Sequence, residues 1–185
     1  MHRSLPFALI GAGSVVALAA APARLAVAED FLSTADAQRQ LFPEADRFVD
    51  VAIAWTPAQR QAVIERAGPQ PAHRSLRVWR AFKGEQPLGH VFVDEVIGRQ
   101  DFITYALAID ANGRLSELEV LSYRESHGGE IRNAAWRRQF SGRADEGSLR
   151  VGTDIKNIAG ATLSCEHVTQ GARWVLALWQ VVLRS

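Results

Sequence analysis

The segment between residues 76 and 123 constrains the fold most, because apolar residues alternate with polar ones there over several consecutive stretches. The stretches LRVWRAFKG, LGHVFVDEVIG and FITYALAID are rich in β-branched and aromatic residues, and glycine or proline residues separate them. Such alternation is typical of β-strands. Asn112-Gly113 is the strongest hairpin signal in the chain. The sequence therefore predicts an antiparallel sheet of about four strands.

Helical signals precede the predicted sheet. Ser33 and Asp36 resemble a capping box for a first short helix. Thr56 as N-cap, followed by proline at the first helical position, predicts a second helix that ends near Gly68. These signals predict a helical region at residues 29–75, before the sheet.

Two further helices are expected within and after the sheet segment. The stretch EIRNAAWRRQF fits a helix whose buried face would carry four side chains, those of Ile131, Ala135, Trp136 and Phe140. Apolar residues at helical spacing predict a last helix from Ser164 to Leu183. Helices before, between and after an antiparallel sheet make an α+β fold.

The first 28 residues resemble an export signal. Positive charge at His2 and Arg3 precedes the apolar stretch LPFALIGAGSVVALAAA, and Ala26-Val27-Ala28 has the small-x-small form that signal peptidase accepts. We therefore expect a signal peptide at residues 1–28, the helical region at 29–75 and a further domain at 76–185. The mature protein is expected to be periplasmic or attached to the outer face of the inner membrane, with the signal either cleaved or kept as an anchor.

Charge and cysteine content exclude several classes of function. The formal net charge is only +1, which does not predict a nucleic-acid partner. Cys165 is the single cysteine, so the chain has no internal disulfide and no cysteine metal cluster. We expect Cys165 to be a buried small apolar residue. No feature of the sequence indicates an oligomeric state.

The stretch DIKNIAGATLSCEHVTQG places a Gly-Ala-Thr turn, residues 160–162, in front of the last predicted helix. A helix N-terminus suits a phosphate, and the small Gly160 and Ala161 would let the backbone approach it closely. The Thr162 hydroxyl would then be within covalent reach of the phosphate. The alternative is that Gly160 is a turn residue and that Thr162 or Ser164 caps the helix.

A second informative stretch is YRESHGGEIR, which follows a predicted strand. Gly128 and Gly129 would leave backbone amides uncovered, so that an aromatic ring could lie against them. Hydrogen-bonding groups of Glu125, Ser126 and His127 would surround this opening. The alternative is an ordinary loop between a strand and a helix.

The two stretches together resemble a known family. IAGATLS resembles the (Ser/Thr)-Gly-Ala-Thr-x-(Ser/Thr) motif of the FMN-binding domain found in the C subunit of sodium-translocating NADH:quinone reductase and the G subunit of the Rnf complex. ESHGGEIR is similar to that family's Glu-Thr-Pro-Gly-x-Gly-x-x-Ile loop. YALAIDANGRLSELEVL resembles its central hairpin, and QFSGR resembles its Phe-x-Gly-Lys segment. The likeness extends over most of the chain from about Phe31.

The resemblance implies a covalent flavin. Thr162 would be joined to FMN through a phosphoester, and the neighbouring residues Gly160, Ala161, Leu163 and Ser164 would shape the phosphate pocket. The ring would contact the five residues Glu125, Ser126, His127, Gly128 and Gly129. The implied partners are a periplasmic flavin transferase for maturation and a membrane redox protein.

The sequence shows no nicotinamide fingerprint, no metal-ligand spacing such as His-Glu-x-x-His and no convincing nucleophile–base pair. We therefore expect an exported electron carrier rather than an enzyme with its own substrate, the chemistry belonging to the cofactor. The alternatives are a module that binds flavin without a covalent bond, and a cofactor-free exported domain with a structural or sensory role.

Overall fold

The computed structural model describes residues 29–30, 32–71, 75–125 and 127–184, so the expected signal peptide lies outside the described residues. The fold is α+β, as the sequence predicts. Its main elements follow in chain order: β1 Glu29–Asp30, α1 Thr34–Leu41, β2 Arg47–Asp50, α2 Pro57–Ala67, β3 Arg77–Lys83, β4 Gln86–Ile97, β5 Phe102–Asp110, β6 Leu115–Tyr123, α3 Ala134–Arg137 and α4 Thr162–Leu178. Within these ranges no helix is both long and apolar enough to cross a membrane.

The six strands form one antiparallel sheet in the order β1-β6-β5-β4-β3-β2. The predicted central strands are β3 to β6, and the Asn112-Gly113 hairpin joins β5 to β6. In that turn the Gly113 N–H donates to the Asp110 carbonyl at 3.0 Å, and the Asp110 carboxylate accepts from the Asn112 N–H at 2.9 Å. The sheet adds two short edge strands. Both lie in the region expected to be only helical, and the four residues of β2 are mostly exposed.

Helices cover both faces of the sheet, because alternate residues of the central strands point to opposite sides. On one face α4 packs over Phe92 and Leu107, and Trp174 of α4 is buried there. On the other face α1 packs over Val91 through Ala37. Helix α2 packs on the same side as α4. The N-terminal region is therefore part of the same packed structure as the sheet.

The N-terminal caps are confirmed. Ser33 accepts a hydrogen bond from the Asp36 N–H at 3.1 Å at the start of α1. At the start of α2, Thr56 and Gln59 form a full capping box. These local signals identify both helix starts because each supplies acceptors for amides that the helix itself leaves unpaired.

The prediction of one continuous middle helix is wrong, because the segment forms three short helical turns instead. The segment forms a 3₁₀ turn at Gly129–Arg132, the single α-turn α3, and a second 3₁₀ turn at Arg138–Phe140. Asn133 has extended backbone angles, φ −60° and ψ 125°, and so interrupts the helical course. Three of the predicted buried residues are buried, namely Ile131, Trp136 and Phe140, but Ala135 is exposed because the interruption changes the direction of the following turn.

The last helix begins at Thr162, two residues before the predicted start at Ser164. Its α-helical part ends at Leu178, and Trp179–Leu183 forms a π-helical turn. Cys165 is buried as predicted, and burial raises the pKa of its thiol. The early start of α4 determines the geometry of the candidate site, since it makes Thr162 the first residue of the helix.

Candidate functional site

A cavity of about 430 Å³ lies where three segments meet: the β4–β5 connection, the loop after β6 and the start of α4. Its volume falls in the range of small-molecule sites, about 300–1,000 Å³. The lining consists of Arg99, Gln100, Glu125, His127 and the five consecutive residues from Gly160 to Ser164. The two stretches that the sequence singled out, far apart in the chain, therefore meet at one cavity.

Thr162 lines this cavity with an exposed side chain. Its Oγ1 accepts a hydrogen bond from Asn157 Nδ2 at 2.9 Å. The N-cap position of α4 is occupied by Ala161, and no side chain makes a capping hydrogen bond there. The alternative that Thr162 or Ser164 caps the helix is therefore wrong. The Thr162 hydroxyl stands at the helix entrance, on the cavity wall.

The backbone around Thr162 is suited to an anion. Gly160 has φ +81°, and no atom lies within 4 Å of the position a Cβ would take, so this side of the turn is open. The first amides of an α-helix have no carbonyl partner within the helix, which leaves those of Thr162, Leu163 and Ser164 to other acceptors. They also lie at the positive end of the helix dipole. The turn can therefore hold a phosphate group.

The segment before the turn is held by the α3 region. Trp136 Nε1 donates to the Lys156 carbonyl at 2.8 Å, and the Lys156 N–H donates to Gln139 Oε1 at 2.8 Å. These bonds fix the backbone next to Asn157, whose amide contacts the Thr162 hydroxyl. Sequence patterns did not identify Asn157, because one amide side chain in a loop carries no periodic signal.

Gly128 brings the two stretches into contact. Its φ is +88°, and a Cβ built on it would lie 2.4 Å from Ala161 Cβ and 2.7 Å from Tyr123 Oη. Gly128 is buried, while its neighbour His127 is exposed and lines the cavity. Gly129 begins the 3₁₀ turn that follows. The structure thus gives Gly128 a packing role, and the flavin contacts expected of both glycines stay predictions.

Tyr123, at the end of β6, links the loop after β6 to α4 through hydrogen bonds. Its hydroxyl donates to the His127 carbonyl and lies 3.2 Å from Ser164 Oγ. Burial raises the pKa of Tyr123, an effect that the hydrogen bond with Ser164 partly opposes. Ser164 is itself buried, so it supports the cavity wall as well as lining it. No sequence motif indicated this role for Tyr123, because its position fits the pattern of an ordinary strand residue.

Glu125 turns its carboxylate towards the β4–β5 connection. Its Oε1 accepts hydrogen bonds from the Gln100 N–H at 2.7 Å and the Asp101 N–H at 3.0 Å. Partial burial would raise the pKa of this carboxyl, but the backbone donors outweigh burial and lower it. A Cβ on Gly98 would lie 2.4 Å from the same oxygen, so a side chain at position 98 would displace the Glu125 carboxylate from this position.

Arg99 and Gln100 are site residues that sequence reasoning missed, since GRQD between two strands indicates only a turn. Arg124 and Arg132, which flank the loop in the sequence, are exposed, and Arg132 Nε donates to the Gly129 carbonyl at 3.1 Å. Ser126, predicted to contact a cofactor ring, lies outside the described residues.

The comparisons with known proteins agree with this geometry. Residues 98–177 match the model of the FMN-binding domain family. The match contains the β4–β5 connection, the loop after β6 and the start of α4, which are the three segments that form the cavity. A search of curated proteins gave no match. Across residues 98–177 the chain is therefore similar to the FMN-binding domain family, which supports the family resemblance that the motifs indicate.

Proposed function

We propose that the protein holds FMN covalently on Thr162 through a phosphoester, and that it carries electrons to or from a membrane redox partner outside the cytoplasm. The observation that carries the proposal is the position of the Thr162 hydroxyl. It lies on the wall of the cavity at the entrance of α4 and takes no part in capping that helix.

The residues present fit the phosphate end of FMN. The first amides of α4, which have no carbonyl partner within the helix, and the open space beside Gly160 suit a phosphate. Arg99 supplies a positive charge on the same cavity wall. When bound, FMN supplies the electron-transfer chemistry, and the protein supplies binding, orientation and electrostatics.

The covalent bond needs an activated donor. The Thr162 oxygen would form a bond to phosphorus and lose its proton, while the phosphorus loses its previous substituent. A phosphoanhydride of FMN is the chemical class that supplies such a leaving group, delivered by the expected flavin transferase. The protein gains the mass of FMN less one water. Asn157, which donates to Thr162 Oγ1, would orient the oxygen without taking its proton.

The access to the site supports an electron-carrier role. Thr162 and Leu163 are exposed at the cavity, so a second protein can approach a bound flavin. Within the described ranges no group of three or more His, Cys, Asp or Glu side chains could hold a metal ion. A redox partner in the membrane would then supply or accept the electrons. The export expected from the first 28 residues places this exchange on the outer side.

Fluorescence on denaturing gels tests the attachment. The protein is to be produced in a host that exports it and carries a flavin transferase. We expect wild type and Thr162→Ser to give a flavin-fluorescent band, and Thr162→Val to give none because it lacks the hydroxyl. Ser164→Ala removes a neighbouring hydroxyl of the same cavity wall and should retain some of the fluorescence, because the Thr162 oxygen is still present.

Three results would contradict the proposal. A fluorescent Thr162→Val band would place the bond elsewhere. A yellow native protein that loses its flavin on denaturation would instead support a non-covalent flavin module, and a colourless native protein would support a cofactor-free domain.

A further inference from the structure

The cavity wall carries one full positive charge among the described residues that line it, that of Arg99. Arg99 lies in the short connection between β4 and β5 and lines the same cavity as the Gly-Ala-Thr turn. The planar guanidinium group of arginine matches the geometry of phosphate oxygens. Arg99 is therefore the lining residue whose charge is best matched to an anionic ligand.

The backbone that carries Arg99 is fixed from the other side of the cavity. Glu125 accepts hydrogen bonds from the backbone N–H groups of Gln100 and Asp101, at 2.7 and 3.0 Å. Gly98 allows the Glu125 carboxylate to approach this backbone closely. The connection between β4 and β5 is thus held at the two residues that follow Arg99, and both hydrogen bonds go to one carboxylate oxygen.

We propose that Arg99 binds the phosphate group of the flavin, and that Glu125 is a positioning residue that holds the β4–β5 connection so that Arg99 lies on the cavity wall. This assignment rests on the FMN-binding part of the proposed function and does not depend on the covalent bond. It changes the role that the sequence resemblance implied for Glu125, from a contact with the ring to a contact with the backbone next to Arg99.

The charge on Glu125 argues against a direct role in binding phosphate. A carboxylate repels an anion, and this one is turned towards amide donors of the β4–β5 connection. Removing Glu125 would therefore strengthen phosphate binding if only its charge mattered. The removal of Glu125 would weaken phosphate binding if Glu125 holds Arg99 in place. The sign of the effect separates the two roles.

The test compares two ligands that differ in the phosphate. Full-length apoprotein from a host without a flavin transferase is titrated with FMN and with riboflavin. We expect wild type to bind FMN more tightly than riboflavin. Arg99→Gln should weaken FMN binding about tenfold, the effect of one charge-assisted hydrogen bond at an exposed site, and leave riboflavin binding unchanged. The control Arg124→Gln removes a positive charge from an exposed residue outside the cavity lining and should change neither.

Glu125 is tested in the same titration. Glu125→Ala should weaken FMN binding as Arg99→Gln does, and the amides of Gln100 and Asp101 should exchange hydrogen faster. Glu125→Gln keeps an acceptor oxygen, so it should preserve most of the FMN affinity and most of the protection of these two amides from exchange. Glu130→Ala is the matched control, because Glu130 is an exposed carboxylate on the turn that follows this loop. Adding Glu125→Ala to Arg99→Gln should produce no further loss of FMN affinity.

Three results would overturn the assignment. Wild type could fail to prefer FMN over riboflavin, Arg99→Gln could weaken both ligands equally, or Glu125→Ala could strengthen FMN binding or leave amide exchange unchanged. Failure of covalent attachment at Thr162 is a separate result, since these titrations use the unmodified protein. The phosphate preference would then stand while the covalent proposal fell.

Discussion

Replacing Gly128 with alanine should push the loop after β6 away from the start of α4, the two segments that Gly128 brings into contact at the cavity. The residue has φ +88°, a left-handed conformation that costs an L-residue about 1–2 kcal/mol. The added Cβ would also lie 2.4 Å from Ala161 Cβ and 2.7 Å from Tyr123 Oη, which is far inside van der Waals contact. Such overpacking costs a further 1–3 kcal/mol or so. We therefore expect Gly128→Ala to lose about 2–5 kcal/mol of unfolding free energy and to bind flavin poorly.

The assay is urea unfolding of the apoprotein, followed by FMN titration. Gly142→Ala is the matched control, because Gly142 has φ +79° and no atom within 4 Å of its Cβ position. It should lose only the backbone cost, about 1–2 kcal/mol, and keep its flavin affinity. Ala161→Gly in the Gly128→Ala background should recover part of the steric loss, since it removes one clashing atom. Equal losses in Gly128→Ala and Gly142→Ala would refute the steric reasoning.

Two further predictions concern the core. His90 is buried beside Trp179, and burial, followed by the charge of Arg80, lowers the pKa of His90 from 6.5 to about 4. The unfolded chain therefore binds a proton at a higher pH than the folded protein does, so the free energy of unfolding should fall as the pH falls from 6.5 to about 4. In urea unfolding this loss should reach about 3 kcal/mol and be absent in His90→Gln. Parallel pH curves for the two proteins would contradict this. Gly171→Ala would place a Cβ 2.0 Å from Tyr105 Oη. The variant should therefore lose about 1–3 kcal/mol of unfolding free energy in the same assay, although alanine is usually preferred to glycine within a helix. A stabilised variant would contradict this and show that Tyr105 moves aside at little cost.

Much of the fold could be predicted because its signals are local. The Asn112-Gly113 turn, the alternation in β3 to β6 and the caps of α1 and α2 all depend on residues close in sequence. The continuous middle helix failed because Asn133 adopts an extended conformation there, which helical periodicity does not reveal. Strand β2 was missed because a short, mostly exposed edge strand has little alternation to detect.

The candidate site was predictable only in part. Thr162 and the loop containing His127 carried sequence motifs, and the structure brings both to one cavity. Arg99 lay outside both motifs, and Asn157 and Tyr123 lay within the two stretches but were not recognised, because a single amide or tyrosine side chain does not reveal which hydrogen bonds it makes. Such residues are identified by convergence in three dimensions, which a single sequence does not encode locally.

The most direct test of the central claim is the intact mass of the protein, purified after export from a host that carries a flavin transferase. We predict the mass of the chain, with or without residues 1–28, plus one FMN less one water, with the added mass located in the peptide that contains Thr162. An unmodified chain, or an adduct on a peptide without Thr162, would contradict the covalent attachment on which the proposed function depends.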